Sequence, residues 1–334
     1  MTAIDTTTLD AVAATGPRLR RRIWLTGILA AAAWLAAATV TYGYEDIGEW
    51  SRTTPLAAAL ALIGFGLFAA VLATAATGRA SARLTRLGPW LVVFPLFVAL
   101  WEVLAAKTDV LPQPFFPPPQ ALIEVFTDDY AKLGISILHS LRLHATGYLI
   151  GAFTGFVLGI SVGWSQHIGY WVHPVLRFIG PLPATAWLPV AFFAFPSSWS
   201  ASVFLVALAT AFPTTILTWS GVAAVPSAYY DVARTLGASR RFLIFKVAIP
   251  AAMPHVFVGL FMGLGSSFAV LVVAEMLGVK AGLGWYLQWA QGWAAYGNMY
   301  AALLVMTLIC STLITLLFRL RDHLLGWQKG IVKW

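Results

Sequence analysis

Apolar runs of twenty residues and more, free of Asp, Glu, Lys and Arg, constrain this chain more than any motif. "PLAAALALIGFGLFAAVLATAAT" (55–77) and "AAMPHVFVGLFMGLGSSFAVLVVA" (251–274) are two of them. Crossing the hydrocarbon of a bilayer takes roughly 20 mostly apolar residues as a helix, and only helices and closed barrels leave no backbone group unpaired there. Continuous apolar runs, rather than alternating ones, select helices over a barrel. Charged residues make up 10% of the chain, against about a quarter in an ordinary soluble domain. The expected fold class is therefore all-α, a polytopic integral membrane helical bundle. Its spans fall near 23–42, 55–77, 88–106, 136–162, 174–195, 200–220, 250–275 and 299–319.

Lys and Arg concentrate on the cytoplasmic side of such proteins. With the N-terminus inside, 16 of the 21 basic residues lie there: Arg18, Arg20, Arg21, Arg22, Arg79, Arg83, Arg86, Arg177, Arg234, Arg240, Arg241, Lys246, Arg319, Arg321, Lys329 and Lys333. Arg52, Lys107, Lys132, Arg142 and Lys280 remain outside. Both ends are expected in the cytoplasm. The net charge of +8 is thus a topology signal; no aromatic-interleaved basic domain points to nucleic acid. The one cysteine, Cys310, can form no intrachain disulfide and has no metal-ligand companions.

Four segments are expected. Residues 1–22 form a basic cytoplasmic tail, and 23–77 an accessory transmembrane hairpin, read as retained rather than as a cleaved leader because its first run is long enough to span. Residues 88–320 form the main transmembrane domain, and 321–334 a cytoplasmic tail. Within the main domain, Gly147, Gly151, Gly155, Gly159 and Gly163 recur every fourth residue, a stripe that lets another helix approach closely. Pro181, Pro183 and Pro189 interrupt the fifth span. Such breaks survive in a membrane only where protein or a water-filled cavity satisfies the freed backbone.

The loop 226–250 is the wettest interior stretch. Ser227 is placed to cap a helix after Pro226, with Asp231 toward its positive end. Gly237 is placed to stop it in the left-handed conformation, and Ser239 to cap the next helix. Tyr229, Val232, Ala233 and Leu236 share one face. Two readings stay open on these residues alone: an amphipathic loop resting on anionic headgroups, or a handle for a soluble partner.

Further residues are candidates for a solute pathway. Thr210 and Thr214 form a polar patch in the sixth span, with Ser266 and Ser267 in the seventh; each can line a path or bond back to its own helix. Pro183 and Trp187 accompany the broken span. Glu102 and Glu275 sit near outer span ends, where a gate, a structural hydrogen bond or snorkelling all fit; for Glu275 the structural role is favoured. Arg142 can draw an anion inward or touch a headgroup. Trp285, Trp289 and Trp293, at four-residue spacing, read as an interfacial aromatic belt.

The loop resembles a known signature. Asp231, Val232 and Ala233, then three residues, Gly237, nine residues, and Val247, Ile249 and Pro250 are similar to the EAA motif of inner-membrane permeases of binding-protein-dependent ABC importers. That motif is Glu-Ala-Ala, three residues, Gly, nine residues, Ile-x-Leu-Pro; the departures conserve size or charge. "LWEVLA" (100–105), "HSLRLHATGYLIG" (139–151), "PLPATAWLPV" (181–190) and "AEMLGVKAGLG" (274–284) resemble the nitrate/sulfonate/taurine branch. The resemblance covers roughly residues 88–320 and omits the first two spans.

It implies a six-helix type I permease core behind two accessory helices, in a bacterial inner membrane. It implies that Tyr229, Asp231, Val232, Ala233, Arg234, Leu236, Gly237 and Pro250 form a coupling element gripped by separate ABC ATPase subunits. A second copy of the chain and a periplasmic or lipid-anchored binding protein complete the assembly, and the outer Trp loop becomes a short scoop near the outer gate. The solute is expected to be a small anion such as nitrate, a sulfonate, taurine or bicarbonate; the branch also carries uncharged heterocycles. No G-x-x-x-x-G-K-[ST] sequence occurs, so ATP and Mg are expected on the partner, with no cofactor, metal or catalytic residue in this chain. A secondary transporter driven by an ion gradient is the rival; such proteins tend to show internal repeats and midplane charges.

Overall fold

The computed structural model describes residues 24–77, 82–108 and 110–328. The expected tail over 1–22, and with it Arg18, Arg20, Arg21 and Arg22, lies outside the described residues, as do Arg79, Lys329 and Lys333. Among the described residues, seven helices are long and apolar enough to cross a membrane, or eight if one bent pair counts as a span. Contacts divide the chain into two compact units meeting at Glu124 and Val125.

The first unit holds α1 (Leu25–Gly43), α2 (Thr53–Thr77) and α3 (Ala82–Glu102), which runs on through a π-helical turn, Val103–Lys107. Although α1 is apolar all round, its buried positions are mostly small: Gly27, Ala30, Ala31, Ala37, Ala38 and Thr41, with Trp34 among them. Lipid is as apolar as leucine, so helices associate in membranes where small residues permit close packing. Trp34, Ala37 and Ala38 pack with Leu56 and Leu60 of α2 and Val98 of α3, and the Trp34 indole donates to the Leu91 carbonyl (2.9 Å). The third span thus packs with the first two. The sequence had suggested a break between 77 and 88, but apolar faces conceal which helices adjoin.

A buried polar knot closes this unit. The Glu102 carboxylate accepts from Thr41 Oγ1 (2.5 Å) and Gln120 Nε2 (2.9 Å). Lys107 Nζ lies 3.8 Å from Glu102 and 2.8 Å from Asp46, and donates to the Thr41 carbonyl (2.7 Å). Glu102 does not snorkel; it ties α1 to α3 and to α4 (Pro119–Asp128).

The second unit comprises α5 (Tyr130–Trp164), α6 (Gln166–Ile179), a 3-10 turn (Ala184–Trp187) leading into α7 (Leu188–Ala194), α8 (Ser198–Ala223), α9 (Ser227–Thr235), α10 (Arg240–Gly278), α11 (Leu283–Gly292) and α12 (Tyr296–Leu324). The glycine stripe of α5 faces α8. A Cβ at Gly147 would come within 2.6 Å of Val206, at Gly155 within 2.7 Å of the Ala211 carbonyl, and at Gly159 within 2.5 Å of Thr218. On the other side of α8, a Cβ at Gly259 of α10 would come within 3.0 Å of Thr214, and one at Gly263 within 3.1 Å of the Thr210 carbonyl. The three helices form a dry, backbone-close stack.

The expected single span 174–195 is instead a bent pair. Gln166–Ile179 and Ala184–Ala194 meet at 88°, across Gly180–Pro183. The cause is local: Pro181 and Pro183 lack the N–H donors that would carry the helix through.

Candidate functional site

The loop between α8 and α10 folds as a self-contained helical lever. Ser227 does not cap α9: Pro226 holds the N-cap position and no side chain caps this end. Asp231 is likewise not in the first turn; it lies mid-helix and pairs with Arg234 at 3.3 Å, both largely exposed. Such a pair contributes little in water. The C-terminal stop is as expected. Gly237 has φ +79°, its N–H donates to the Arg234 carbonyl (2.9 Å), and Ala238 N–H donates to the Ala233 carbonyl (3.0 Å). This double hydrogen bond around a left-handed glycine is the Schellman closure. Ser239 then accepts from Phe242 N–H (3.3 Å) and starts α10, whose residues Leu243–Ala248 form a π-helical stretch before Pro250.

No residue of α9 is buried. Tyr229, Val232 and Leu236 point outward, Leu236 with 83% of its surface exposed, and Ala233 is half-buried on the same face. Tyr230, which the sequence had not singled out, turns the other way. Its ring meets Trp164 at 5.8 Å and 67°, beside Val222, Ala248 and Ala252, and burial pushes its phenol pKa up.

A cavity of about 590 Å³ lies where the bent pair meets α8 and α10, lined by Gly180, Pro183, Thr185, Phe212, Met262 and Ser266 among others. Of the pathway candidates it brings together Pro183 and Ser266. Thr210 and Thr214 are fully buried between α5 and α10. Their hydroxyls donate to the carbonyls of Val206 (2.9 Å) and Thr210 (2.8 Å) on their own helix, so they pack α8 and do not line the cavity. Ser267 is also buried, bonded to the Leu264 carbonyl and to His144. Trp187 packs beside Leu188 and Ala191, and Arg142 is exposed on α5. Neither borders the cavity.

Residues 147–327 match the family described as the binding-protein-dependent transport system inner membrane component. That span holds the glycine stripe, the bent pair, the cavity and the whole lever. The chain belongs to this family of ABC importer permeases. It is 30% identical over 256 residues to the nitrate import permease protein NrtB of Synechococcus elongatus, covering 73% of this chain and 89% of the relative. A probable ABC transporter permease protein of Brucella abortus is 28% identical over 250 residues (75% and 99%). The bicarbonate transport system permease protein CmpB of Synechococcus elongatus is 31% identical over 197 residues (58% and 68%). The family places the chain as a multi-pass inner-membrane transport subunit, not an enzyme.

The permease also carries a polar ladder between α5 and α10. Ser140, His144 and Tyr148 recur every fourth residue, and that spacing was its signal in the sequence. Ser140 Oγ donates to the Glu275 carboxylate (2.7 Å), His144 Nε2 lies 3.1 Å from Ser267 Oγ, and Tyr148 Oη donates to the Leu260 carbonyl (2.9 Å). Glu275, 1% exposed, also accepts from Gly284 N–H (2.9 Å) at the N-terminus of α11. Partial positive charge there suits a carboxylate, and Gly282, with φ +120°, leaves room where a Cβ would strike Glu275. The structural role of Glu275 follows from these bonds.

The permease holds α11 against the bundle more firmly than a belt. Trp285 and Trp289 pack with Leu133, Tyr286 and Met306, with Lys132 Nζ 2.7 Å from the Trp289 ring centre. Only Trp293 of the three tryptophans is strongly exposed. Tyr286 Oη donates to Asp129 (2.6 Å), and Asn298 donates to both; burial raises the Tyr286 pKa.

Proposed function

We propose that two copies of this permease sandwich a solute path, that ABC ATPase subunits carrying ATP and Mg grip α9 from the cytoplasm, and that a periplasmic or lipid-anchored binding protein delivers a small anion of the nitrate or bicarbonate class. ATP binding draws the ATPases together and moves both α9 levers inward. The outer cavity then opens, and hydrolysis resets it. No bond in the solute is made or broken.

The observation that carries this reading is α9 itself: a helix closed by its own backbone at Gly237, with Tyr229, Val232 and Leu236 turned outward. Exposed apolar anchors on a rigid helix are the chemistry of a groove-binding contact, and Ala233, Asp231 and Arg234 complete its surface. Pro250 lies within α10, where the π-helical stretch next to the lever gives way to regular α-helix. The 590 Å³ cavity, with Pro183 and Ser266 on its wall, is the proposed path segment. Trp187 braces the bent pair beside it, and Arg142 supplies positive charge on α5. Thr210, Thr214, Ser267 and Glu275 support the helices around it. The names of the relatives support an anion. The first two spans, residues 23–77, form the proposed accessory hairpin, with residues 88–320 supplying the importer core.

A second reading concerns the solute alone. Among the described residues no charged side chain lines the cavity, which suits an uncharged heterocycle equally. Proteoliposomes holding the permease, its ATPase and its binding protein test both. Uptake of labelled nitrate or bicarbonate that requires ATP is the expected result. Uptake of a heterocycle instead would select the second reading, and uptake driven by an ion gradient without the ATPase would overturn the importer mechanism.

A further inference from the structure

We infer that Tyr230 is the positioning residue through which displacement of α9 enters the membrane-spanning helices. The inference rests on the reading of α9 as the part gripped by the ATPase. The covalent joints at the two ends of α9 are not continuous α-helix. One runs through Ala224, Val225 and Pro226. The other runs through the left-handed Gly237 into the π-helical stretch Leu243–Ala248, a rare geometry that is frequent at functional sites.

Between those joints, α9 touches the bundle through a seated side chain. Tyr229, Val232 and Leu236 are exposed, whereas Tyr230 packs into the cluster of Val222, Ala248 and Ala252, next to Ile160 and Trp164. Those residues belong to three different helices. Ile160 and Trp164 close α5, Val222 lies in the last turn of α8, and Ala248 and Ala252 flank the point in α10 where the π-helical stretch gives way to regular α-helix. Trp164 is the last residue of α5, one residue beyond Gly163 of the stripe that clamps α8. Close-packed interiors compress little and transmit displacement. The edge-to-face ring contact at 5.8 Å therefore couples the lever to the same backbone-close stack that borders the cavity.

The test uses the assembled importer in proteoliposomes, with Cys310→Ser removing the native thiol and Ser266→Cys as a reporter on the cavity wall. Three quantities are read: ATPase retained on the permease, ATP hydrolysed, and the change in maleimide reaction rate at position 266 on adding a non-hydrolysable ATP analogue with Mg. Tyr230→Ala should retain the ATPase and its hydrolysis but lose about fivefold or more of the nucleotide-dependent rate change. Tyr230→Phe, which keeps the ring, should restore it. Trp164→Ala should reproduce the loss, and the double variant should be no worse than either, as for partners in one contact.

If Tyr230→Ala does not accumulate, Tyr230→Leu takes its place with the same outcomes. A rate change within about twofold of the parent, with the ATPase still bound, overturns the inference alone. Loss of ATPase binding in Tyr230→Ala also overturns it, assigning Tyr230 to the grip. An ATPase that does not bind the parent permease overturns the underlying reading as well.

Discussion

The α5–α8 interface and the α9 lever are built from opposite solutions. Along the interface, glycines bring backbones so close that no side chain fits between them, and threonine hydroxyls satisfy themselves on their own helix. On the lever, apolar side chains stand in the open, the backbone closes at Gly237 and Tyr230 is seated against the bundle. The first region holds still because every displacement meets backbone. The second can be held by something else, because no described residue covers its outward face. A transporter needs both, a stack that moves as one piece and a handle that moves it.

The contrast predicts separable effects, the largest in the stack. A leucine at Gly155 would place its Cβ 2.7 Å from the Ala211 carbonyl and 2.8 Å from the Thr214 Cβ, and overpacking costs roughly 1–3 kcal/mol, occasionally more. Gly155→Leu should lower the melting temperature of the solubilised permease sharply and deplete it from membranes. An unchanged melting curve would break the claim that the stripe is a dry contact.

Glu275 should come next. Replacing it with Ala strands the Ser140 hydroxyl and the Gly284 N–H in the interior, at about 1–3 kcal/mol for a buried polar group left unpaired. Thermal unfolding of Glu275→Ala should shift accordingly, and Glu275→Gln, which keeps an acceptor, should shift less. Equal shifts would show that the negative charge itself matters beside the α11 N-terminus.

On the lever the effect on stability is smaller and the effect on coupling larger. A valine at Gly237 meets nothing within 4 Å, so only the left-handed backbone opposes it, at about 1–2 kcal/mol. The cost falls on a segment without a buried residue. Gly237→Val should therefore leave the melting temperature nearly unchanged while ATP hydrolysis proceeds without transport. Retained coupling would mean that the helix stop is not mechanical.

How much of this was legible beforehand follows from what lipid hides. Gly237 could be read because a polar loop obeys the rules of water: a cap, a stop and a spacing. The glycine stripe could be read because small residues are the packing signal in a membrane. The seat of Tyr230 could not, since Tyr229 and Tyr230 are adjacent and only the fold shows which one turns inward. The grouping of α3 with α1 and α2 was equally hidden, because apolar residues face lipid and core alike and their periodicity names no partner. Thr210 and Thr214 left two readings open for the same reason. A hydroxyl in a span satisfies its own helix as readily as it lines a path.

The account depends on α9 being gripped, and Leu236→Asp tests that most directly. A charge placed in a desolvated contact should cost the complex about 2 kcal/mol or more, well beyond a tenfold loss of affinity. The side chain is almost fully exposed in the permease alone, so folding should be untouched. The measurement is the amount of ATPase subunit retained on the solubilised variant. A large loss with an unchanged melting curve is predicted, and undiminished ATPase would contradict the account.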